Sequence, residues 1–491
     1  LECSNLAKVK LSENLTVIEA DAFQECNSLQ NIELPEGLSE IKDRAFYQCS
    51  NLKEIKIPDS VTKIEGSAFY ECKKLQNVTL SKNLESLGSS TFGNCDGLTQ
   101  IEIPKSLERA GDDYFASYAP GAFSGCKNLK NVSFEAGTTV IAYKLFSNCT
   151  GLEKITIPDT VTTIKGYAFY ECSNLKEIQI GNGLKEIGDS VFYECTSLQK
   201  VLFPDTVNSM GTSIFYNCIN LTEVHLPNIR QNIMANTFYN CKKLTTINFP
   251  STLTTIGDSA FYGCESLPEA ILPSGVEKIE SNAFKNCKSL KKAVVPDTVS
   301  SIGSSAFYGC EALTDITLGS KLKKIDSQTF YGCTALPSIV IPYNVTTIGD
   351  SAFVNCTKLT QITVPRNTAS IESNVFSYPR KMTMYGPSGC YAQTYANGKG
   401  IKYVAQDIHA TSIRLDITNK TAEYYDEFQL TATIAPQNFT DAVTWTSSNE
   451  DVATVSDTGY VEVCGVGTAV ITVTAGNVKA ACTVTVPQLI D

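Results

Sequence analysis

Nineteen cysteines in 491 residues are the first chemistry this sequence offers. Cysteine thiolates bind metals, act as nucleophiles and pair as disulfides, and spacing decides among these roles. Cys3, Cys26, Cys49, Cys72 and Cys95 recur every 23 residues. After one gap of 31, Cys126 restarts the count, which runs through Cys149, Cys172, Cys195, Cys218, Cys241, Cys264, Cys287, Cys310 and Cys333 to Cys356. A zinc site needs several ligands converging on one point. One thiol per 23 residues lays the ligands out in a line instead, with no histidine partners. Disulfides between repeats suit the pattern poorly, because side chains in register point in parallel. The favoured reading is a reduced, buried thiol acting as a small hydrophobe. In an exported protein, free thiols point to an anaerobic habitat.

Other catalytic groups are sparse. The only histidines are His225 and His409, and H-E-x-x-H, G-x-S-x-G and G-x-x-x-x-G-K-[ST] are all missing. His225 stands beside Glu223 without a nucleophile, since Cys218 and Cys241 belong to the ladder. Asp112 and Asp113 are sequential, so they diverge and cannot flank a glycosidic bond. No enzyme, cofactor site or metal site is expected. A net charge of −11 argues against nucleic acid and anionic membrane surfaces as partners. No apolar run reaches 18 residues, and the opening `LECSNL` falls inside a repeat. The chain therefore reads as a fragment or processed form whose export signal and anchor lie outside it.

The elements behind the cysteine ladder follow from its period, since a repeat of 20–50 residues means a solenoid. A unit such as `CSNLKEIKIPDSVTKIEGSAFYE` (49–71) alternates around Ile55-Lys56-Ile57, as a short strand with inward isoleucines does. Pro58 ends that strand, Val61 and Ile64 form a second inward pair, and Ala68-Phe69 a third contact. One unit cannot bury these residues alone, but stacked units can. The phenylalanines from Phe23 to Phe376 that share the Phe69 position are expected in the core. The tyrosines after them, among them Tyr170, Tyr193, Tyr216, Tyr239 and Tyr262, are expected to pack over this spine; a stacking platform for sugars is the alternative.

These units resemble the BspA-like leucine-rich repeats of bacterial surface proteins, over roughly residues 1–404. The resemblance implies a right-handed solenoid with a parallel sheet on its concave side. The expected organisation is a repeat array over 1–381, of about 16 units with an eight-residue insertion near 110–117, and a cap over 382–405. A linker over 406–410 leads to an all-β immunoglobulin-like sandwich over 411–487. In the cap, Ser388 is the expected helix N-cap, Gly398 its stop, 401–404 the last strand, and Cys390 an exposed thiol. The sandwich reading rests on short alternating strands such as `VTWTSSNEDVATV` and `GVGTAVITVTA`. They resemble the bacterial group 2 immunoglobulin-like domain, with Trp445 as its core residue. Cys464 and Cys482 are expected as two buried thiols, a bridge being the alternative.

Candidate ligand-binding residues are those the scaffold does not require. Among outward strand positions, polar early in the chain, Leu202, Ile271, Val294 and Val340 are apolar, with His225 and Asn248 in the same row. Exposed apolar patches mark interaction sites, although single β-branched residues on a strand need no such role. The insertion adds Tyr114 and Phe115, with Tyr118 beside it, as a recognition loop or a tolerated extension. The resemblance implies a monomeric adhesin on the bacterial cell surface. Its implied partners are host matrix proteins such as fibronectin or fibrinogen, or other bacteria, with the immunoglobulin-like domain as spacer. The alternatives are a structural rod of the cell envelope and a glycan-binding module.

Overall fold

The computed structural model describes residues 3–111, 120–228, 232–406, 408–437 and 439–488. It is a parallel-strand solenoid of about 16 turns with almost no helix, followed by antiparallel all-β sheets consistent with an immunoglobulin-like domain. Two compact units compose it, Leu1–Leu253 with Gly257–Leu267, and Thr254–Ile256 with Pro268–Asp491.

In the first unit the period of 23 becomes register. Val17–Ile18, Glu40–Ile41, Lys63–Ile64, Ser86–Leu87 and Arg109–Ala110 form one parallel sheet in which Ile18, Ile41, Ile64, Leu87 and Ala110 are successive partners. A second face pairs Lys154–Ile157, Glu177–Ile180, Lys200–Leu202, Glu223–His225 and Thr246–Ile247, again in parallel. Along Lys154–Ile157 burial alternates, with Ile155 and Ile157 inside and Lys154 and Thr156 outside. The side-chain period of two in a strand fixes this arrangement, and a slip of one residue would turn the isoleucines outward.

The third face turns on left-handed residues. Ser67 (φ 52°) and Glu71 (φ 55°) bracket Ala68-Phe69, and the same two positions are left-handed in turn after turn. This geometry presents backbone to the next turn, so Phe46 N donates to Ala68 O at 2.7 Å and Gln48 N to Tyr70 O at 2.7 Å. The phenylalanines stack inside it, with centroids 5.0 Å apart for Phe46 and Phe69 and 5.1 Å for Phe69 and Phe92. The insertion does not interrupt the stack. Phe92 and Phe123 lie 5.3 Å apart, although 31 residues rather than 23 separate them.

The second unit repeats this plan and adds the cap. Ser338–Val340, Gln361–Thr363, Thr383–Gly386 and Lys402–Ala405 form one parallel sheet, with the helix Tyr391–Lys399 between its last two strands. That helix starts later than expected: Cys390, not Ser388, is its N-cap, because Gly389 takes a left-handed conformation (φ 72°) just before it. It also runs through Gly398 and stops at Gly400 (φ 68°), whose N–H closes onto Ala396 O and Asn397 O. Cys390 is buried rather than exposed, its Sγ 3.3 Å from the Tyr403 hydroxyl.

The sheets that follow are antiparallel but for one pairing. Gly467–Ala475 pairs with Val443–Ser447 and Val478–Val486, and Glu427–Gln429 pairs with Tyr460–Val463. Leu415, Leu430, Val461, Ile471 and Val484 fill the core between them. Two expectations fail here. Trp445 is only half-buried, because its strand edges the sheet and its ring packs on the flank of the core. Cys464 is exposed, because it follows the strand Tyr460–Val463 and leads into a bend. Within this unit the sandwich rests on solenoid turns. Lys321 Nζ meets Asp416 Oδ2 at 3.0 Å, Gln437 Nε2 donates to Leu318 O at 3.1 Å, and the rings of Tyr343 and Phe439 stack at 4.6 Å.

Candidate interaction surface

The outward row belongs to the first strand of each turn, where alternation leaves every second side chain in solvent. Leu202 is 49% exposed, Ile271 43% and Val340 37%. Val294 is half-buried and His225 exposed. Register sets their neighbours: Leu202 is the partner of His225, Ile271 of Val294, and Val340 of Thr363. Of the four apolar candidates, then, only Ile271 and Val294 are direct cross-strand neighbours. Charged pairs flank them, Lys200 with Glu223 at 2.9 Å and Lys292 with Asp315 at 3.5 Å.

Asn248 has a structural task. Its Oδ1 accepts from Leu226 N at 2.7 Å and its Nδ2 donates to Leu226 O at 2.9 Å. The side chain thus replaces a missing strand partner for one residue of the neighbouring turn. Tyr114, Phe115 and Tyr118 lie outside the described residues.

The ladder cysteines pack and also bond. Cys49 Sγ donates to Phe23 O at 3.0 Å, Cys72 to Phe46 O at 3.2 Å and Cys218 to Phe192 O at 3.0 Å. The pattern continues across the insertion, where Cys126 reaches Phe92 O at 3.0 Å. Each of these carbonyls also accepts from the backbone of the cysteine three residues on, as Phe23 O does from Cys26 N at 3.2 Å, so the thiol of the next turn is its second donor. Burial pushes the Cys49, Cys126 and Cys172 thiols up to about 12, and these inert sulfurs are poor nucleophiles. Among the described residues no group of three or more His, Cys, Asp or Glu side chains is placed to hold a metal ion.

The tyrosine row is a stack in its own right. Tyr170, Tyr193, Tyr216, Tyr239 and Tyr262 follow one another at 4.8, 4.5, 4.4 and 4.5 Å. Each inner ring has a tyrosine on both faces, so the row offers edges rather than faces to a sugar. Two features escaped the sequence reading. The left-handed positions were signalled by Gly125, Gly263, Gly309 and Gly332 just before their cysteines. Tyr425, 77% exposed at φ 71° beside Tyr424, carried no such signal.

Comparison with known proteins supplies the family. The model described as BspA type leucine rich repeat region (6 copies) matches in overlapping segments from residue 1 to residue 383: 1–120, 119–222, 163–291, 208–334 and 254–383. Residues 409–486 match the bacterial Ig-like domain (group 2). No curated protein matches the chain. Among solved structures, a leucine-rich repeat protein from Bacteroides ovatus is 28% identical, over 80% of this chain and 88% of that one, with a TM-score of 0.56. A leucine rich cell surface protein from Faecalibacterium prausnitzii is 25% identical, over 79% of this chain and 88% of that one, with a TM-score of 0.31. Among the described residues no helix is long and apolar enough to cross a membrane. The chain belongs to the BspA-type leucine-rich repeat family of bacterial surface proteins and carries a group 2 bacterial Ig-like domain at its C-terminal end.

Proposed function

We propose that the protein is a non-enzymatic adhesin of the bacterial cell surface that binds a protein ligand along its outward strand row, with the Ig-like domain as a spacer. The exposure of Leu202 and Ile271, on strands whose other outward residues are Lys200 and Glu269, carries this reading. An apolar centre with a polar rim is the usual anatomy of a protein interface. Leucine-rich repeats generally bind proteins and are typically scaffolds rather than catalysts, and their stacked sheets let many modest contacts sum. The net charge of −11 favours a basic partner, with an association rate that falls as salt rises. Fibronectin and fibrinogen are the first ligands to try.

The test is saturable binding of the whole chain and of Ile271→Asp to each immobilised ligand. The variant is expected to bind at least tenfold more weakly, ~1.4 kcal/mol, with an unchanged melting temperature, since the side chain it replaces is exposed. Equal affinity for both would remove Ile271 from the interface. Absence of saturable binding by the unaltered chain would favour a structural rod of the envelope.

A further inference from the structure

Where the Ig-like sheets rest on the solenoid turns of the second unit, the contact is incomplete and leaves a partly open cavity of about 370 Å³. That is the lower range of small-molecule sites, which run ~300–1,000 Å³. Tyr343, Asn344 and Asn367 line it from the solenoid, and Gln429, Val443 and Trp445 from the sandwich. Trp445 is the only tryptophan in the chain. It is half-buried, packing on the core while also lining this space. Gly459 (φ 83°) makes the seat for its ring, since a Cβ there would come within 2.8 Å of Trp445 Cζ2.

The walls are tied in place. The Lys321–Asp416 pair at 3.0 Å closes one side, and Gln429 Nε2 is held by Leu430 O and Thr458 O, each at 2.7 Å. Burial raises the Tyr343 phenol above its ordinary range, so it stays protonated. The charges also balance, with Lys321 and Lys323 opposite Asp416 and Asp457. A rim without net charge gives no advantage to an ion. Aromatic rings, amides and hydroxyls around one space suit a neutral ligand with an apolar face and a hydroxyl-bearing edge.

We propose that this cavity binds a neutral hexopyranose residue, its C–H face on the Trp445 and Tyr343 side and its hydroxyls toward Asn344, Asn367 and Gln429. The site is separate from the outward strand row and independent of the protein ligand proposed there. A single hexose brings about a dozen heavy atoms, which sets a Kd on the order of 1 mM.

A single tryptophan makes the test direct. Fluorescence of the whole chain, excited selectively at Trp445, is titrated to about 20 mM, well past that Kd, with glucose, galactose, mannose, N-acetylglucosamine and N-acetylgalactosamine. N-acetylneuraminate, glucuronate and adenosine serve as charged and flat aromatic comparisons. A saturable change with at least one neutral sugar is expected. It should weaken at least tenfold in Thr346→Phe, which fills the cavity from an exposed solenoid position without touching the sandwich core. An unchanged melting temperature would show that this variant folds; if it does not fold, Ser300→Phe is the second filling variant. The proposal is overturned by no saturable change with any neutral sugar, by a response only to the comparison compounds, or by a response that folded filling variants leave intact.

Discussion

Ladder thiols such as Cys72 and Cys95 combine three properties: full burial, a hydrogen bond to a carbonyl 26 residues earlier, and a cysteine neighbour on both sides. Their titration therefore couples to folding. In the native chain Cys49, Cys126 and Cys172 are held up to about 12, by burial first and, for Cys49, also by the adjacent Cys26. In the unfolded chain a thiol titrates near ~8.5. Below that value both states are protonated and pH is without effect through these groups. Between the two values the unfolded state gives up protons that the native state keeps, so stability falls as pH rises, by ~1.4 kcal/mol per pH unit for each such thiol. Urea midpoints are expected to be flat with respect to these groups from pH 6 to about 8 and to fall steeply above about 9. A midpoint unchanged at pH 10 would mean that the sulfurs titrate freely in the native state.

The element that repeats is a turn with three sides, and the sequence spells out two of them. Alternation at Ile55-Lys56-Ile57 and the pair Val61 and Ile64 announce strands, because inward apolar residues recur at the strand period and at a fixed distance from the cysteine. The third side was legible only as a phenylalanine stack. Its left-handed residues are written as Ser, Glu, Gln, Asn and Gly in different copies, so no single residue type marks them. The helix cap at Cys390 and the half-buried Trp445 were hidden for another reason, since both depend on what packs nearby rather than on local pattern. Each non-glycine left-handed residue carries ~1–2 kcal/mol of strain, which glycine relieves at the cost of a more flexible unfolded chain. Ser213 (φ 54°) is such a position, and Ser213→Gly is expected to raise stability by about 0.5–1 kcal/mol in chemical denaturation. A loss of stability would show that the serine side chain contributes more than its backbone strain removes.

Within the second unit, contacts cross from repeat to sandwich. The Tyr343–Phe439 stack, the Lys321–Asp416 pair and the Gln437 hydrogen bond should make the adjoining turns and the Ig-like sheets melt as one cooperative block. Phe439 is buried, and Phe439→Ala should cost ~3–5 kcal/mol and split that block, seen as two transitions in calorimetry where the unaltered chain shows one. A single transition in the variant would mean that the polar contacts suffice. The solenoid part is connected differently. Most turns meet their neighbours through recurring backbone hydrogen bonds and stacked phenylalanines, so adjacent copies are joined in nearly the same way. The eight surplus residues after Ala110 show the one other kind of change the array accepts, since Phe92 still stacks on Phe123 and Cys126 still reaches Phe92 O beyond them. For a gene under selection this makes chain length a quantity that changes in whole steps of 23 codons, the unit a crossover between two copies would add or remove. Lineages can then lengthen or shorten the protein quickly while its surface residues diverge copy by copy.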